Sequence, residues 1–145
     1  MNHLYELYLE DFFYNKVYYK GMPVKTFTNL NYNGKQQSFE HITTKGSKDR
    51  IYNVLRCERI KWIKKIIESL CNGCDNIATW QEKHKNKYRI IIWCQKTDFV
   101  IVLERRKNEY YLITAYCVIY ENKRKDLRKK YIKYITKDRS RLSQR

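Results

Sequence analysis

Between residues 87 and 120 the chain carries three apolar, strand-like runs in close succession: KYRIIIWC (87–94), DFVIVLER (98–105) and YYLITAYCVIY (110–120). β-Branched and aromatic residues dominate them, and the connections QKTD and RKNE are short enough for antiparallel hairpins. Such a meander needs helices to cover it. The strongest helical pattern lies just upstream, over 49–70. There Ile51, Leu55, Trp62, Ile63, Ile66 and Leu70 fall within about 120° of one another on a helical projection, with Lys61, Lys64 and Glu68 opposite. CNGCDN then ends the helix, with Gly73 as a cap.

The flanks are weaker. LYELYLEDFFYNKVY (4–18) is an imperfect helical stripe, KGMPV breaks it, VKTFTNL suggests a short strand, and NYNGKQQS is turn chemistry. A last helix over 121–135 places Leu127, Tyr131, Tyr134 and Ile135 on one side and lysines on the other, and the tail TKDRSRLSQR is expected to be disordered. The fold class is therefore α+β, a long helix packed on one face of a small antiparallel sheet. Residues 1–36 form a helix-plus-strand extension packed on the core, 37–136 the core itself, and 137–145 a basic tail.

Charge narrows the function. The 145 residues hold 31 Lys and Arg against 15 Asp and Glu, a net of +16. Half of that excess lies in residues 121–145, where eleven cations face Glu121, Asp126 and Asp138. Residues 1–15 contain acids and no Lys or Arg, so the acidic start could shield a basic cleft. An excess of this size repels itself and points to a polyanionic partner, and fourteen tyrosines supply rings for bases to stack on. No signal peptide or membrane-length apolar run is present, and five cysteines, an odd number, suit a reducing compartment. A cytoplasmic location is the expectation.

Polar residues at positions the pattern assigns to the core carry the most information. Arg59 lies near the centre of the helical stripe, where a guanidinium must be paired or reach a ligand. Arg56, one turn earlier, could grip the same phosphate, while the structural alternative pairs Arg59 with an acid such as Glu104. On the last strand the odd positions Tyr111, Ile113, Ala115, Cys117 and Ile119 make an apolar face. Thr114 and Tyr116 share the other face, about 7 Å apart. His41 stands in a segment of no clear periodicity, SFEHITTKGSKDR, with Lys45, Lys48, Arg50 and three hydroxyls close by. A lone histidine is more often structural, but this one has the company a phosphate site needs. His3 and His84 receive no role, the latter lying in the charged run EKHKNK. Cys71 and Cys74 lack the further ligands zinc requires, and the acids are too scattered for metal-dependent nuclease chemistry.

Three segments, F-x-H-I at 39–42, R-x-E-R-x-x-W-I at 56–63 and L-I-T-A-Y at 112–116, together resemble the phage- and toxin-associated nucleases of the BECR fold. That grouping takes in barnase, EndoU, the colicin tRNases and RelE, and the likeness covers roughly residues 38–135. It implies a BECR/RelE-like arrangement and metal-independent RNA cleavage by transesterification, leaving a 2′,3′-cyclic phosphate. It implies His41 as general acid or base and Arg59, with Arg56 and Lys45, on the scissile phosphate. Thr114 would hydrogen-bond a phosphate oxygen, and Tyr116 would transfer or position a proton. Barnase-like sites use a glutamate base, for which Glu58 is the candidate here or none. Lys123, Arg124 and Lys129 of the basic last helix would hold RNA backbone, whether of a tRNA or an mRNA. A toxin or growth-arrest effector of this kind would meet an acidic antitoxin or immunity protein. No cofactor is implied. The competing reading is a basic nucleic-acid-binding module without chemistry. A peripheral membrane protein is weaker, because the basic helix lacks an apolar face rich in Trp or Phe.

Overall fold

The runs 91–94 and 99–103 show no polar alternation, as expected of strands covered on both faces. The computed structural model describes residues 2–31, 33–46, 51–68 and 76–143. Its elements begin with α1 (Asn2–Leu9), a π-helical turn (Glu10–Tyr14), β1 (Val17–Tyr19), β2 (Met22–Lys25), α2 (Gln37–Thr43), β3 (Thr44–Lys45) and β4 (Ile51–Tyr52). They continue with α3 (Val54–Glu58), α4 (Trp62–Glu68), β5 (Ile77–His84), β6 (Lys87–Cys94), β7 (Phe99–Arg106), β8 (Glu109–Cys117) and α5 (Glu121–Ser143). The class is α+β, with a six-stranded sheet in the order β1-β2-β8-β7-β6-β5 and β3 and β4 paired separately. The sheet is mixed, not purely antiparallel, because β2 runs parallel to β8.

Residues opposed across antiparallel strands share a face, so the register divides the sheet. One face carries Ile92, Phe99, Ile101, Leu103, Leu112 and Ala115, buried under Tyr8 of α1, Phe39 and Ile42 of α2, and Ile63 and Ile67 of α4. The other carries Ala78, Trp80, Ile91, Trp93, Val100 and Val102, packed with Leu127 and Tyr131 of α5. Helices therefore cover both faces, which corrects the one-sided packing expected from sequence. The physical reason is the run itself: 91–94 and 99–103 are buried throughout and would leave half their apolar surface wet under a single layer. Arg124 secures the start of α5, with Nε 3.2 and 3.1 Å from the two carboxylate oxygens of Asp98 and Nη1 bonded to Glu121.

Three further expectations need correction. The single helix over 49–70 is instead β4, α3, a turn at 59–61 and α4, within the described residues. No proline or glycine forces that break; a local cap starts α3 and a tertiary contact holds the turn. Asn53 caps α3 by accepting from the Arg56 amide. Lys61 is drawn to the buried Asp11 carboxylate at 2.6 Å. On β8 the predicted alternation fails at Ile113, a bulge that leaves Leu103 opposite Leu112 and Val102 opposite Thr114. Leu112 and Ala115 thus share one core while Ile113 and Tyr116 join the other. The tail expected to be disordered is helical through Ser143, since nothing in 121–143 interrupts α5.

The N-terminal residues belong to the core. Lys20 and Gly21, both at positive φ, form the two-residue turn that folds β1 onto β2. Tyr8, Val17, Tyr19 and Val24 are all buried. The Tyr8 hydroxyl donates to Gln36 at 2.7 Å, and burial pushes its pKa up to about 12. Among the described residues no helix is long and apolar enough to cross a membrane.

Candidate active site

Along the α5-facing side of the sheet the side chains change character partway down the strands. Trp80, Ile91 and Val102 form one apolar row; the next contains Glu82, Arg89, Glu104 and Tyr111. His84 opposite Lys87 begins the row after that, with Arg106 two residues beyond Glu104 on β7. Here a cleft of about 630 Å³ opens. Its floor is Arg89, Glu104 and Arg106, with Ile113 and Thr114 of β8. One wall is Phe27 with Gln37 and His41 of α2; the other is the β5–β6 turn, carrying His84, Lys85 and Lys87.

Glu104 organises the floor. It is 4% exposed, a burial that a carboxylate tolerates only when paired. Arg106 supplies two hydrogen bonds to Oε2, from Nε at 3.0 Å and Nη2 at 2.8 Å, while Arg89 Nε lies 3.6 Å from Oε1. Burial works against the charge, but the Arg106 hydrogen bond and the Arg106, Arg89 and Lys87 charges outweigh it and hold the carboxyl below its ordinary range. The Arg106 guanidinium also lies over Tyr111 and Phe27, 4.8 Å and 5.2 Å from their ring centroids, within the reach of a cation–π attraction. Arg106 is thereby fixed in orientation at the cleft, with Arg89 ion-paired to the same carboxylate.

His41 is a helical residue on α2, not the loop histidine its sequence context suggests. Phe39 and Ile42 bury the helix face on either side of it, and Gln37 one turn back places Nε2 3.5 Å from His41 Nε2. Its carbonyl accepts from Arg56 Nη1 at 2.9 Å and from Thr114 Oγ1 at 3.4 Å, so α2 is pinned to both α3 and β8.

The residues singled out from sequence do not form one constellation. His41 and Thr114 line the cleft. Lys45, Arg56, Tyr116 and Lys123 line a separate cavity of about 210 Å³. Arg56 also donates to the Thr44 carbonyl at 2.8 Å and works as a fastener for the end of α2. Arg59 borders neither: it stacks on Trp62 at 4.9 Å, donates to the Leu55 carbonyl, and lies 3.8 Å from Glu58. Its suggested pairing with Glu104 is replaced by Arg89 and Arg106. Arg124 is engaged with Asp98 and Glu121, and Lys129 is exposed on α5. Ser47, Lys48, Arg50, Cys71, Gly73 and Cys74 lie outside the described residues. Of the acidic start, Glu10 and Asp11 both reach Lys61, and among the described residues none of 2–15 lines the cleft.

Sequence reasoning missed His84, Lys87, Arg89, Glu104 and Arg106. The signal was available: Arg89, Glu104 and Arg106 have the same strand parity as Ile91, Trp93, Val100 and Val102, so they are charges on a core-facing side. β5 was also missed, and with it the hairpin that brings His84 to the cleft. Comparison with protein-family models, with curated proteins and with solved structures finds no match to this chain.

Proposed function

We propose that this chain is a metal-independent endoribonuclease that cleaves RNA by transesterification in the cleft between His41 and His84. The observation that carries this reading is that His41 and His84 line one cleft together with Lys87, Arg89 and Arg106. In that chemistry the ribose 2′-OH attacks its own 3′-phosphate. One imidazole takes the 2′-OH proton and the other protonates the departing 5′-oxygen, leaving a 2′,3′-cyclic phosphate and a free 5′-OH. The guanidiniums and Lys87 stabilise the doubly charged phosphorane, being oriented before substrate arrives. Glu104, held ionised by its arginines, is a weak base and serves to aim them. Of the segments that carry the nuclease resemblance, F-x-H-I contains His41 and L-I-T-A-Y contains Thr114, both of which line this cleft, and Arg56 of R-x-E-R-x-x-W-I donates to the His41 carbonyl. An acidic inhibitor would place a carboxylate among the same cations.

The test is total RNA incubated in excess EDTA with wild type, His41→Ala and His84→Ala, with product ends mapped. Cleavage by wild type alone, leaving 2′,3′-cyclic phosphates, is the expected result. Equal, salt-sensitive RNA binding by all three without cleavage would favour the non-catalytic binding module, which draws on the same cations.

A further inference from the structure

We propose that the smaller cavity beside Tyr116 is a second phosphate subsite, which holds the phosphate adjacent to the scissile one and sets the minimum substrate at three nucleotides. The inference rests on the ribonuclease reading of the larger cleft. Lys45, Arg56 and Lys123 bring three cationic side chains to this cavity, and among the described residues no carboxylate lines it. In the larger cleft the arginines are shared with Glu104. The smaller cavity is thus the more one-sided in charge, which suits an anion that binds without reacting. Its volume of about 210 Å³ is below the range of pockets that enclose a drug-sized ligand and suits a phosphate with its sugar.

The two cavities are neighbours by construction. Thr114 lines the cleft, and Tyr116, only two residues further along β8, lines the subsite. Thr114, which lines the cleft, and Arg56, which lines the subsite, donate to the same His41 carbonyl, so the two linings meet at one carbonyl group. A chain with its scissile phosphate beside His41 would present its next phosphate across that junction. The Lys123 ammonium lies 5.9 Å from the centroid of the half-buried Tyr116 ring. That ring and the exposed Tyr120 offer surfaces for the attached nucleoside. Burial raises the Tyr116 pKa, with Glu82 adding and Arg56 opposing, so the ring stays neutral beside the incoming phosphate.

The experiment measures binding by fluorescence anisotropy, using 2′-O-methyl oligonucleotides that cannot react: a dinucleotide with one phosphate and a trinucleotide with two. Wild type is expected to bind the trinucleotide about tenfold more tightly, with a salt slope steeper by about 0.7. An abasic third residue should keep most of that gain. Lys45→Gln and Lys123→Gln should each narrow the ratio to about threefold or less. A ratio near one in wild type, or a ratio unchanged in both variants, overturns the subsite. Cleavage of the corresponding 2′-hydroxy oligonucleotides is scored separately. Cleavage without the binding ratio removes the subsite and leaves the nuclease; the ratio without cleavage leaves an RNA-binding subsite and removes the nuclease.

Discussion

Trp93 and Arg89 sit on the same strand and the same face of the sheet, four residues apart, yet they belong to different kinds of surface. Trp93 is 1% exposed beneath α5, among Trp80, Val100 and Leu127. Arg89 lies on the floor of an open cleft, where its nearest partner is a carboxylate. The covered half is defined by area removed from water and would accept other apolar residues of similar volume. The open half is defined by charges that pair with one another, Glu104 with Arg89 and Arg106, and the buried carboxylate depends on its partners. Stability and chemistry should therefore separate along a single strand face, and substitutions can test that separation directly.

The largest expected effect is on activity in the open half. His41→Ala and His84→Ala should each lower RNA cleavage by about 10²–10⁴-fold, while urea denaturation midpoints stay close to wild type. In the covered half Trp93→Ala reverses the pattern, costing about 3–5 kcal/mol of stability by chemical denaturation. The rate per folded molecule should hold, and a collapse of that rate would show that the two halves are not separable.

Glu104→Gln lies on the boundary, since its carboxylate is buried but its arginines face solvent. It should cost about 2–3 kcal/mol at neutral pH and also reduce cleavage by releasing Arg89 and Arg106. Because the folded-state pKa of Glu104 is lowered, its contribution is complete above the ordinary carboxylate range and disappears as pH falls through the folded value. The stability gap between wild type and Glu104→Gln should accordingly close in acid, which denaturation at several pH values would measure.

The smallest effect comes from the opposite face. Tyr8→Phe removes the buried hydrogen bond to Gln36 and should cost about 1 kcal/mol without altering cleavage. The raised Tyr8 pKa has the complementary sign: its contribution is complete below the ordinary phenol range and is lost as pH rises through about 12.

Much of the covered half was legible in the sequence. β6, β7 and β8 announced themselves through β-branched and aromatic runs, and Leu127 and Tyr131 through their spacing on a lysine-rich helix. The α3–α4 break was not legible, because the contact that holds it, Lys61 to Asp11, spans fifty positions. His41 could be singled out by its neighbours, whereas His84 looked like one more charge in EKHKNK until the β5–β6 hairpin gave it a face. Arg59 fitted a long-helix projection that the fold does not keep. The site was hidden because its residues come from separate elements, and their proximity is set by register.

The central claim is that the two imidazoles act in one reaction. The most direct test is the pH dependence of kcat/KM for RNA cleavage by wild type, His41→Ala and His84→Ala, followed to the limits of the residual activity. Wild type should give a bell, and each single variant should lose one limb, a different one in each case. A bell that survives intact in either variant would remove that histidine from the chemistry and contradict the shared site.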